Sequence, residues 1–130
     1  ELGADKRSSS SLATMSMLTR FLRADEGALG VRVYHYVNLS LLGLTPVALV
    51  APTSLNLVLD MALAVALPLH GHIGMNYVLT DYVPKFLGKA ARGPARLVQF
   101  GVTGLTTAGL LKLNLQGPGI TGTLKNLWRK

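Results

Sequence analysis

Cysteine is absent from this 130-residue chain. No disulfide, thiolate-held metal, iron–sulfur cluster or thiol nucleophile can be built from it, so any metal must be held by histidine or carboxylate or arrive inside a cofactor. Charge is scarce as well, at 15% of residues, where soluble domains carry about a quarter. Acid is scarcest, with 6 Asp and Glu against 13 Lys and Arg, for a formal net charge of +7. That excess alone fits a nucleic-acid partner, but its distribution argues against one. Residues 33–59, 61–80 and 97–111 carry no formal charge, and the basic groups are confined to the segments between these runs. The chain also has no phosphate-cradling glycine loop and no nucleophile beside a base, so it is not expected to be an enzyme on its own.

What is present is apolar: 49% of residues are hydrophobic and the mean hydropathy is +0.38. A bilayer core about 30 Å thick needs roughly 20 apolar residues at about 1.5 Å each. The three charge-free runs therefore predict an all-α membrane protein with three transmembrane helices, at 33–51, 55–83 and 97–115. Residues 1–30 form an N-terminal segment, 31–116 the anchor domain and 117–130 a polar, Gly-rich tail ending in interfacial Leu127, Trp128, Arg129 and Lys130. The Ser-rich residues 1–11 are assigned no structure. Leu12, Met15, Leu18 and Leu22 recur at helical steps and predict a short amphipathic surface helix over 12–24. Tyr34 and Tyr36 suit a membrane interface, Thr53 or Ser54 suits an N-cap, and Pro84 marks the end of the second span. Pro46 and Pro68 are candidate bends. Gly104 and Ala108, together with Gly71 and Gly74, offer small-residue faces for close helix approach, and Lys112 snorkels from the third span. The connection 84–96 carries Lys85, Lys89, Arg92 and Arg96 with no acid, and the N-terminal segment is also net basic. Both are expected inside, in cytoplasm or mitochondrial matrix.

Ionisable groups within spans are expensive and mark function by default. The second span holds Asp60, His70, His72, Asp81 and Tyr82. His70 stands near mid-span. Asp81 returns to within about 20° of its face and lies about 16 Å along the axis, whereas His72 points nearly opposite. His70 on its own reads as either an interhelical hydrogen bond or an axial donor to haem iron. Ala66 and Gly74, four residues to either side, favour the second by leaving room for a flat macrocycle. His72 reads as a packing or hydrogen-bonding residue, and Asp60 as a helix-start or interfacial group.

The run LPLHGHIGMNYVLTDYV, from Leu67 to Val83, resembles the second transmembrane helix of the small cytochrome b subunit of mitochondrial complex II, the membrane anchor of succinate:quinone oxidoreductase. That family shows a His-Gly-His with an Asp ten residues before it and an Asp-Tyr pair 11 and 12 residues after its first His. The matching residues here are His70, Asp60, Asp81 and Tyr82. LLGLTP at Leu41 to Pro46, the basic connection, the Gly/Thr-rich third helix and the Leu-Trp-basic ending extend the likeness over about Val31 to Lys130.

The resemblance implies that His70 is one axial ligand of haem b, with the other supplied by the large cytochrome b subunit. It also implies that Tyr82 hydrogen-bonds a quinone (ubiquinone or rhodoquinone), with Asp81 in the same network. The family's propionate-binding Arg falls at His35, which leaves that contact to His35 or to Arg32 one turn earlier. The implied partners are the large cytochrome b, iron–sulfur and flavoprotein subunits and membrane lipid, with no nucleic acid. The implied location is the mitochondrial inner membrane, N-terminus in the matrix and C-terminus in the intermembrane space. The competing reading is a non-redox structural subunit of an inner-membrane assembly.

Overall fold

In the computed structural model, residues 13–129 are described, without the Thr53 side chain, and all their regular structure is helical. The expectations for residues 1–11, Leu12 and Lys130 lie outside the described residues. Helix α1 covers residues 13–22. It is followed by α2 (Ala28–Val50), α3 (Thr53–Phe86), a 3₁₀ turn (Lys89–Ala91), α4 (Arg92–Gln116) and α5 (Gly119–Trp128). Helices α2 and α3 are long and apolar enough to cross a membrane. At about 1.5 Å per residue, α3 with its 34 residues reaches about 51 Å, well beyond a hydrocarbon core.

Helices α2 and α4 each begin five residues earlier than the spans expected at 33 and 97, and three further boundaries differ from the sequence reading. Helix α3 begins at Thr53 with Pro52 in the cap position and no side-chain cap bond, so neither Thr53 nor Ser54 is the N-cap. It also runs through Pro84 to Phe86, because a proline removes one backbone donor without abolishing the turns on either side. Gly88, at φ +82°, then reverses the chain. Third, the tail is largely helical: Gly119, Ile120 and Thr121 at the start of α5 are buried.

The centre of this bundle is polar. Asp60, His72, Asn76, Arg96, Thr103, Asn114 and Thr121 are buried alongside a modest apolar set of Ala48, Leu63, Ala64, Ile73 and Ile120. Large apolar side chains such as Leu42, Val50, Leu105 and Phe86 face outward. A water-soluble domain inverts this distribution, whereas helices in lipid gain little from burying leucine against leucine and are joined by packing and interhelical hydrogen bonds.

Two polar clusters fix the ends. At one, the Arg96 guanidinium donates to both Asp25 carboxylate oxygens at 2.7 and 2.8 Å, to Glu26 Oε1 at 3.0 Å and to Thr80 Oγ1 at 2.9 Å. Thr80 in turn donates to Asp25 Oδ2 at 2.5 Å. The α1–α2 link, the end of α3 and the start of α4 therefore meet at one end of the bundle. At the other, the Asp60 carboxylate accepts the Thr121 N–H at 3.1 and 3.2 Å and the Thr121 hydroxyl. Asn114 bridges by donating to the Asp60 carbonyl at 2.7 Å and accepting the Ile120 N–H at 3.1 Å. Asp60 thus serves a helix start, but that of α5 rather than its own, and it is 1% exposed. A carboxylate here complements the orphan N–H groups and positive end of α5.

The small-residue faces are used unevenly. A Cβ on Gly74 would meet the Tyr34 hydroxyl at 3.3 Å, but Gly71 and Gly104 have nothing within 4 Å. The Gly104–Ala108 face is exposed and does not mediate packing within this chain.

Candidate functional site

His70 sits midway along α3, where α2 crosses it. Its Nδ1 lies 2.7 Å from Asn38 Oδ1, and its ring stacks on Tyr34 at 5.4 Å between centroids and 12° between planes. Tyr34 and Asn38 are four residues apart and so share the α2 face turned to α3. A side-chain carbonyl can only accept, so Nδ1 is the donor, and in the neutral ring that leaves the lone pair on Nε2. No described residue bonds that Nε2. The imidazole is half-buried rather than sealed.

The room expected at Gly74 is taken by Tyr34, which is accordingly half-buried against His70. The bare surface beside His70 belongs instead to exposed Gly71, about 100° further round α3. An imidazole anchored through Nδ1, with Nε2 bonded by no described residue, is a donor arrangement open to a metal ion such as haem iron.

His72 faces the other way and is fully buried. Its Nε2 lies 2.8 Å from the Phe21 carbonyl and its Nδ1 2.9 Å from Thr103 Oγ1, with Phe21 stacked at 4.5 Å. Phe21 is in the last turn of α1, where carbonyls lack helical partners. His72 therefore ties α1 to the bundle, and both its nitrogens are occupied by protein.

Asp81 and Tyr82 lie near the end of α3, one and two residues after Thr80 of the Arg96 cluster. Both are exposed. Tyr82 carries Lys85 Nζ at 5.4 Å from its ring centre, and its hydroxyl has no partner among the described residues. His35 and Arg32 are exposed on α2, about 100° and 160° round from Tyr34, and His35 meets the Tyr36 ring edge-on at 6.0 Å. The fold thus gathers Tyr34, Asn38 and His70, sets Asp81 and Tyr82 at the Arg96 end, and leaves His35 and Arg32 apart from the His70 contact face.

Two groups at these sites escaped the sequence reading. Asn38 is an amide in a charge-free span, a signal as strong as that of His70 had polar uncharged residues been weighed equally. Arg96, counted as a loop cation, is a buried partner of Asp25. The only acids near the first span, Asp25 and Glu26, were the available signal.

Comparison with known proteins gives consistent matches. The family model described as "CybS, succinate dehydrogenase cytochrome B small subunit" matches residues 11–129. The chain is 40% identical over 93 residues to the mitochondrial succinate dehydrogenase [ubiquinone] cytochrome b small subunit of Homo sapiens, covering 72% of this chain and 55% of that protein. It is 39% identical over 92 residues to the Xenopus tropicalis protein of the same name, with 71% and 57% covered. The Mus musculus counterpart is 39% identical over 93 residues, with 72% and 55% covered. The chain thus spans a little over half the length of these relatives.

Proposed function

Because the chain belongs to the CybS family of succinate dehydrogenase cytochrome b small subunits, we propose that it is the small membrane-anchor subunit of a mitochondrial complex II. In this reading it crosses the inner membrane three times, through α2, α3 and α4. It shares haem b with a large cytochrome b subunit and contributes to the quinone site that exchanges electrons with iron–sulfur and flavoprotein subunits. The observation that carries the reading is the His70–Asn38 hydrogen bond, which leaves a lone pair on Nε2 at mid-helix.

His70 would hold the iron through Nε2, with its tautomer set by Asn38 and its ring plane by Tyr34. Bound there, haem b supplies one-electron storage within the membrane. Tyr82 would donate a hydrogen bond to a quinone carbonyl, and its ring offers a flat apolar contact. Reduction of a quinone consumes two electrons and two protons, and the exposed Asp81 carboxylate beside Tyr82 can pass protons from the aqueous side. Arg32 or His35, on α2, would supply the donor to a haem propionate. The basic 84–96 connection supports a matrix-side position for the Arg96 end, and α5 would then face the intermembrane space.

Purifying the assembly through this chain tests the reading. A b-type absorption that succinate reduces, with the soluble subunits co-purifying, is expected. A colourless assembly would support a purely structural subunit instead.

A further inference from the structure

We propose that Asn38 is the positioning residue for His70. Its side-chain carbonyl accepts the Nδ1–H and holds the one neutral tautomer whose Nε2 lone pair is available to iron. The inference rests on His70 being the axial ligand.

Neutral imidazole has two tautomers, and in water the proton moves freely between its nitrogens. A ligand histidine that carried the proton on Nε2 would present a hydrogen, not a lone pair, to the metal. Asn38 Oδ1 at 2.7 Å decides between them. The Tyr34 ring, stacked at 12°, opposes rotation about the Cβ–Cγ bond, which would otherwise put Cδ2 where Nδ1 stands and Cε1 where Nε2 stands and so break the bond to Asn38. Gly74 is part of the same device: the Tyr34 hydroxyl stands 3.3 Å from where a Cβ would be, so any other residue there presses on the ring and must shift it by a few tenths of an ångström. An acceptor on the distal nitrogen also makes the imidazole a stronger donor, which favours ferric over ferrous iron. Asn38 therefore tunes the potential as well as the geometry.

The test uses the assembled complex purified through this chain, with haem midpoint potential and the low-spin ferric electron paramagnetic resonance signal as readouts. Asn38→Asp keeps shape and strengthens the acceptor. Asn38→Leu removes the acceptor, and Asn38→Ala carries the same arm if Leu prevents assembly. The expected order of potential is Asp below wild type and Leu or Ala above it, with the ferric signal moving in both arms. Any other order overturns the proposal, as do unchanged potentials and signals. His70→Leu separates the two failures: if its spectrum is altered while the Asn38 variants match wild type, His70 is a ligand but Asn38 does not position it. If the His70→Leu spectrum matches wild type, the ligand reading itself fails.

Discussion

At the scale of single residues, the chain divides its polar groups into those whose bonding capacity is spent and those with capacity left. Asp60, His72, Asn114 and Thr121 are buried and bonded to protein, whereas His70 Nε2 and the Tyr82 hydroxyl retain an unused lone pair and an unused donor. The distinction yields opposite predictions. Asp60→Asn leaves part of the α5 start without its charged acceptor and should lower stability by about 1–3 kcal/mol, read as a lower thermal midpoint of the purified complex, with haem and quinone turnover unchanged per intact complex. Tyr82→Phe keeps the ring that is 54% exposed and the contact with Lys85 but removes the donor. It should leave the thermal midpoint alone and sharply lower quinone reductase turnover, while dye reduction by the soluble subunits is unaffected. Wild-type quinone turnover in Tyr82→Phe would reduce the residue to an anchor.

At the scale of elements, helix identity was legible in the sequence because charge-free runs of 15 to 27 residues have one economical solution in lipid, a helix that satisfies its own backbone. The family was legible from the spacing of His70, Asp81 and Tyr82 along one of them. Helix α5 was not. Its composition is polar and Gly-rich, and its order derives from a carboxylate 61 residues away, a tertiary contact that local pattern does not encode. The use of Asp60 was misread for the same reason, since an acid early in a helix looks like that helix's own cap.

Gly119 tests the docking. It holds φ +76°, and an added Cβ would collide with the Asp60 carboxylate. Gly119→Ala should cost at least about 1–2 kcal/mol from the left-handed backbone alone. Gly43→Ala, at a helical position with nothing within 4 Å, should be neutral or slightly stabilising. The Arg96 end offers a parallel comparison. Arg96→Ala strands the Asp25 side chain, 3% exposed, and should cost about 3–5 kcal/mol, while Arg92→Ala, which removes a half-buried side chain 3.6 Å from Glu26, should cost under about 1 kcal/mol. Thermal denaturation of the four variant complexes checks both pairs.

At the scale of the whole molecule, the polar interior and apolar exterior argue for surroundings of lipid and partner helices. Helix α4 is the informative case: its 25 residues, about 37 Å, are long enough to cross, but its glycines and threonines dilute its hydropathy. A crossing by α4 would put the 3₁₀ turn and the tail on opposite sides of the membrane. Since the chain has no cysteine, single introductions give clean labelling. Lys89→Cys and Asn126→Cys should react with a membrane-impermeant maleimide from opposite faces of the inner membrane, Lys89→Cys from the matrix face. Labelling from the same face would mean that α4 does not cross.

Two histidines on one helix divide the labour, His70 with a nitrogen bonded by no described residue and His72 with none left over. The most direct test of that division is the reduced-minus-oxidised absorption spectrum of the complex purified from His70→Leu and His72→Gln strains, normalised to assembled protein. The b-type bands should be lost or shifted in His70→Leu and retained in His72→Gln. A wild-type spectrum from His70→Leu, or loss of the bands in an assembled His72→Gln complex alone, would contradict the assignment.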